Sequence, residues 1–115
     1  MADPIYKVAE REIWDAARAA GRLEGTAVDL ADGYIHFSTA HQLRETLERH
    51  YRGRAGLVLA TVDPEALGEA LRWEPSRGGA LFPHLYAPLP MSAVIAERPL
   101  AARADGGFDL PEIAP

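Results

Sequence analysis

Apolar and polar positions fall into short blocks along the chain, and the spacing within each block predicts its element. Ile5-Tyr6-Lys7-Val8-Ala9 reads as a strand, with β-favouring residues at Ile5, Tyr6 and Val8. A helix is predicted from Glu10 to Ala20, because Ile13, Trp14, Ala17 and Ala20 share one face and Gly21 supplies a stop. The stretch from Gly25 to Gly33 reads as a connection that turns at Asp32-Gly33. Tyr34 to Ser38 is a second strand. Thr39 and Gln42 then have the spacing of a capping box and open a second helix, with Leu43, Thr46, Leu47 and Tyr51 facing inward. Arg49, Arg52 and Arg54 near its end complement the helix dipole without needing a ligand.

Leu57 to Val62 is apolar at nearly every position, the pattern of a buried strand. Asp63-Pro64-Glu65 marks the start of a short helix that ends near Leu71. A strand from Leu71 to Glu74 follows. Prolines and glycines break up Pro75 to Pro90, which reads as one long loop, and a loop of that length is usually functional when ordered. Ser92 to Glu97 is the expected last core strand. Beyond Pro99 the chain turns at Asp105-Gly106-Gly107 and has little left to bury. Residues 1–100 are therefore expected to form one compact domain, with 101–115 a C-terminal tail packed on it or trailing from it. Trp14 and Trp73 are both expected in the core.

Composition narrows the picture. A chain of 115 residues, 48% apolar and 25% charged, has the make-up of a globular domain. It contains no cysteine, which excludes disulfides, zinc–thiolate sites, iron–sulfur clusters and a cysteine nucleophile. A net charge of −5 argues against non-specific nucleic-acid binding. No apolar run is long enough for a membrane span, and Met1-Ala2-Asp3-Pro4 lacks the start of a signal peptide, so the cytoplasm is the expected location. The histidines, at 36, 41, 50 and 84, include no pair with the short spacing of a zinc motif, and no metal is expected.

Polar groups gather among apolar ones in three places. Tyr6 and Lys7 begin the first strand; Lys7, the only lysine, either meets an anion or lies exposed to protect an edge strand. In His36-Phe37-Ser38-Thr39, alternation puts His36 and Ser38 on one face, beside the free donors of the second helix. That is a seat for phosphate or carboxylate, although Thr39 is explained by capping alone. The third place is Glu74-Pro75-Ser76-Arg77-Gly78-Gly79 with His84 and Tyr86. Its guanidinium and glycines suit an approaching anion, while a Glu74–Arg77 ion pair closing a turn is the structural alternative. His84 and Tyr86 point the same way if their segment is extended.

The segments IYKVA, AAGRLEG, DLADGYIHFSTAHQLRET, LVLATVD and LRWEPSRGGALFPHLYAPLP span about Ile5 to Leu100. They resemble the bacterial family catalogued as domain of unknown function 952. The resemblance implies an α+β fold similar to ADP-ribosyltransferases and RNA 2′-phosphotransferases. That fold is a curved, split, mixed β-sheet with two main helices and one short helix around a cleft that holds NAD. Lys7 then stands roughly where an early strand offers His or Arg, and His36-Phe37-Ser38-Thr39 resembles the second motif, with His36 where an aromatic stacks on nicotinamide. Glu74 or Glu97 takes the place of the late glutamate. The implied roles are His36 and Glu74 as catalytic groups, with Tyr6, Lys7, Ser38, Thr39, Arg77, Gly78, His84 and Tyr86 binding the ligand. The implied chemistry is ADP-ribosyl transfer or a phosphotransfer-like reaction on NAD or a related nucleotide. Alternatives are a non-catalytic nucleotide or small-anion module, a His-x-Ser phosphodiesterase, and a partner-binding domain without a small-molecule cleft.

Overall fold

The computed structural model describes residues 3–110. The chain is α+β. Strand β1 (Ile5–Glu10) leads directly into helix α1 (Arg11–Ala20), which Gly21 ends in the left-handed conformation. Then come β2 (Arg22–Leu23), α2 (Ala27–Asp32), β3 (Ile35–His36), α3 (Ala40–His50) and β4 (Leu57–Val62). The second half holds β5 (Leu71–Pro75), β6 (Leu81–Leu85), β7 (Leu89–Pro90), β8 (Val94–Pro99), β9 (Ala101–Ala102) and β10 (Phe108–Asp109).

Two three-stranded sheets, β1-β4-β8 and β3-β6-β5, are joined where Tyr6 bridges Ser38. Every described pairing is antiparallel, so the sheet is not the mixed one expected. The chain carries α1 to α3 between β1 and β4, and this excursion returns it in the opposite direction beside its start.

Alternation along the central strands divides the interior in two. Ile5 and Ala9 of β1 and Val58, Ala60 and Val62 of β4 face one core, with Trp14 and Ala17 of α1 packed on it. Tyr6, Val8, Leu57 and Leu59 face the other, covered by Leu43 and Leu47 of α3. The predicted inner face of α3 and its Thr39–Gln42 capping box are both present.

Five expectations need correction. The connection from Gly25 to Gly33 contains α2, a six-residue helix held by a capping box between Thr26 and Asp29. The short helix expected after Asp63 is a 3-10 segment, Pro64–Ala70, interrupted at Gly68 (φ 63°). The long loop contains β6, the centre of its sheet. Proline inside a central strand argues against that assignment, yet Pro83 loses only its donor, and its carbonyl still accepts from the Phe37 N–H at 3.1 Å. The expected last core strand is an edge strand, β8, with Ile95 exposed. Trp14 is buried in the core, whereas Trp73 is exposed.

The segment after Pro99 does have something to bury. β9 and β10 form a short hairpin that brings Leu100 and Phe108 into the core beneath α3. Gly53 N–H donates to the Gly106 carbonyl at 2.9 Å, tying the hairpin to the end of α3. Residues 111–115 lie outside the described residues. Truncating a buried phenylalanine costs about 3–5 kcal/mol. Phe108→Ala is therefore expected to lower the urea midpoint by that amount of stability, and a change within about 0.5 kcal/mol would mean that the hairpin merely rests on the surface.

Candidate functional site

The site is built on the α2 capping box. Thr26 ends an extended segment, its hydroxyl accepts from the Asp29 N–H, and the Asp29 carboxylate accepts in return from the Thr26 N–H at 2.8 Å. This turns Asp29 inward, where it is 2% exposed. Gly25 (φ 141°) is needed just before it, because a Cβ there would lie 2.8 Å from the Asp29 Cβ.

Asp29 has three further donors. The Lys7 ammonium lies 2.8 Å from Oδ2 and 3.0 Å from Oδ1. The His36 backbone N–H donates to Oδ1 at 3.0 Å, and the His36 ring meets the same oxygen through Nδ1 at 2.7 Å. Burial alone would raise the Asp29 carboxyl, but the His36 hydrogen bond, the Lys7 charge and the Thr26 N–H outweigh it and hold it well below the usual carboxylate range. Burial pulls the other way on Lys7, lowering its ammonium against the attraction of Asp29. Lys7 also donates to the His36 carbonyl at 2.9 Å. It is thus neither an exposed edge-strand lysine nor free to meet an anion: its role is to hold Asp29 and the His36 backbone.

The other ring nitrogen of His36, Nε2, lies 2.9 Å from Asp32 at the end of α2. The ring serves both carboxylates as a donor only when both nitrogens carry hydrogen. On the neighbouring strand His84 is the register partner of His36, with ring centroids 5.6 Å apart. His84 is buried, and its Nδ1 meets Glu74 Oε1 at 2.8 Å. Tyr86 donates its hydroxyl to the same oxygen at 2.7 Å, so His84 and Tyr86 do converge as their alternation implied. The Tyr86 hydroxyl and then the His84 ring hold the Glu74 carboxyl below its ordinary value, and the Tyr86 phenol is raised in turn. Tyr34 packs its ring 4.6 Å from His36 and 4.2 Å from His84 between centroids.

These groups form the wall of a cleft of about 390 Å³ between α2, α3 and the two sheets. Tyr6 and Ser38 line it too, and the Ser38 hydroxyl pairs with that of Thr46 at 2.9 Å. Glu74 and Tyr86 support the wall from behind His84. Thr39 caps α3 and borders a different groove, of about 530 Å³, with His41 and Trp73. Gly78 sits in the 3-10 turn Arg77–Gly79, and Ser76 just before that turn lines the cleft. The side chain of Arg77 lies outside the described residues. Among the described residues no group of three histidine or acidic side chains is placed to hold a metal.

Asp29, Asp32 and Tyr34 were not anticipated. The signal for Asp29 was present as Thr26-x-x-Asp29, the spacing of a capping box.

The sequence matches the family described as "Protein of unknown function (DUF952)" over residues 8–97. The chain belongs to that family. A crystal structure of protein CC0527 from Caulobacter crescentus is 56% identical, with a TM-score of 0.89 over 92% of this chain and 93% of that one. A solution NMR structure of CC0527 is 57% identical, with a TM-score of 0.81 over 90% of each chain. No curated protein matches the sequence.

The folded-state pKa of Asp29 lies below its unfolded value, so its contribution is complete above the ordinary aspartate range, about 3.9, and is lost as the pH falls below it. Asp29→Ala leaves the buried Lys7 ammonium without a counter-charge and should cost about 3–5 kcal/mol near pH 7. The gap between variant and parent should narrow below about pH 4. Urea unfolding across pH 3 to 7 checks both, and a gap independent of pH would show that Asp29 is not the acid-sensitive partner.

Proposed function

We propose that this cleft binds a nucleotide of the NAD or ADP-ribose class. The observation that carries the reading is the His36–His84 pair: register partners on adjacent strands, each ring fixed at Nδ1 by a carboxylate and both packed at a tilt against Tyr34. Such a wall offers flat faces for a base or nicotinamide and polar edges for ribose and phosphate. The cleft volume lies within the usual range for small-molecule sites.

Binding without transfer is the better-supported form of this reading. Transfer requires a carboxylate to stabilise positive charge developing on the ribose. Glu74 is the candidate, but its Oε1 already takes both His84 and Tyr86, which suits it to orienting His84. Lys7 is committed to Asp29, so the diphosphate would rely on other donors.

An amide chemical-shift titration with NAD and with ADP-ribose tests the reading. Shifts are expected at residues 29–38 and 82–86, with affinity weakened about five- to tenfold in His36→Ala, the loss of roughly one hydrogen bond. No shifts at millimolar ligand would overturn it.

One observation favours a second reading, acid–base cleavage of a phosphodiester: two imidazoles, each backed by a carboxylate, face one cleft. One would take a proton from water as its oxygen attacks phosphorus, and the other would return a proton to the departing ribose oxygen. Turnover of a 2′,3′-cyclic nucleotide that disappears in both His36→Ala and His84→Ala is the expected result. A rate no different from buffer would remove this reading.

A further inference from the structure

The contact between Asp32 and His36 has the form of a ligand contact made by the chain itself. The ring is held from behind, where Nδ1 meets buried Asp29 at 2.7 Å. The negative charge of Asp29 is matched there by Lys7, 2.8 Å away. When the ring carries both hydrogens, its positive charge is left to whatever faces Nε2 on the cleft side. What faces it is the Asp32 carboxylate at 2.9 Å. Asp32 is 48% exposed on its side chain, is the last residue of α2, and precedes Gly33 in the left-handed conformation (φ 89°). An exposed ion pair of this kind is weak, so an incoming anion displaces it at little cost. Arg54, a second cation, borders the same cleft, paired with Glu10 and lying over the Tyr51 ring.

We propose that the position facing His36 Nε2 is an oxyanion subsite for a phosphate group of the ligand, and that Asp32 occupies it as an internal stand-in which the ligand displaces. The inference rests on reading the cleft as a nucleotide site and adds where a phosphate docks and what guards that place. When the ring carries both hydrogens, Lys7 and His36 outweigh Asp29 by one positive charge once Asp32 swings away, and with Asp32 in place these four side chains sum to zero.

The test measures affinity for inorganic phosphate and for ADP-ribose, by titration calorimetry and by the imidazole nitrogen resonances of His36. It uses the parent protein, Asp32→Asn and Asp32→Ala. Both variants change only an exposed side chain and should keep the parent's amide spectrum. Removing the stand-in is expected to tighten phosphate binding about two- to fivefold, the range of an exposed ion pair, and phosphate should move the Nε2 resonance more than the Nδ1 resonance. Adding His36→Gln to Asp32→Ala should abolish the gain. Unchanged or weaker phosphate binding in both Asp32 variants would overturn the proposal, since losing a competitor must help the ligand. If ADP-ribose binds but is indifferent to Asp32, the subsite fails while the nucleotide reading stands. If phosphate tightens while ADP-ribose causes no shifts, the nucleotide reading fails and the subsite stands.

Discussion

The buried ion pair between Lys7 and Asp29 is the constraint on which the rest of the site depends. By strand parity Lys7 shares the side of β1 that carries Ile5 and Ala9, an apolar setting where an unpaired ammonium would be costly. A buried charge must find a partner and further hydrogen bonds, or it destabilises the fold. Asp29 supplies the charge, and the Thr26 N–H, the His36 N–H and the His36 ring fill its remaining lone pairs. This one carboxylate therefore gathers β1, the cap of α2 and the end of β3. A hydrophobic pair of the same volume could pack as well, but it would not fix the angle of the His36 ring.

From that anchor the geometry of the opposite wall follows. With His36 fixed at the end of β3, antiparallel register places His84 beside it, and the β5–β6 pairing brings Arg72 opposite His84. Glu74 then reaches both the His84 ring and the Tyr86 hydroxyl. Each histidine acquires a carboxylate on Nδ1, although the two carboxylates come from different elements. Tyr34 fills the angle between the rings and limits their rotation.

Legibility in the sequence tracked how far each feature depends on local rules. α1, α3 and β4 were readable because each displays its own periodicity, and Thr39 and Gln42 announce the start of α3. His36, Ser38, Glu74, His84 and Tyr86 were recognisable as polar residues set among apolar ones. α2 was not readable, because Val28 and Leu30 are exposed and the buried residue is the acid, the reverse of the usual amphipathic pattern. β6 was hidden by Pro83, which lacks an N–H but still joins the sheet through its carbonyl. The role of Lys7 was not readable because its buried partner arrives from 22 residues away. The burial of Phe108 was likewise not readable, since it depends on a hairpin docking beneath α3.

The polar groups of the cleft differ in how firmly they are held, and that difference sets where a ligand can act. Breaking the buried contacts of Asp29 leaves a charge stranded in the core, a cost no weak ligand can meet. Disturbing His84 frees a buried ring and strips Glu74 of a partner. Asp32 is different, because its carboxylate returns to water as soon as it leaves His36. On the proposed reading a ligand would meet a firm back wall and a yielding front contact, the fixed side chains supplying orientation and Asp32 setting the threshold for an incoming anion. Recognition in such a site depends less on total charge than on whether the ligand can replace the bond that Asp32 gives up, which favours a group with a strong acceptor oxygen carried on a ring able to stack against the exposed edge of the histidine and tyrosine cluster.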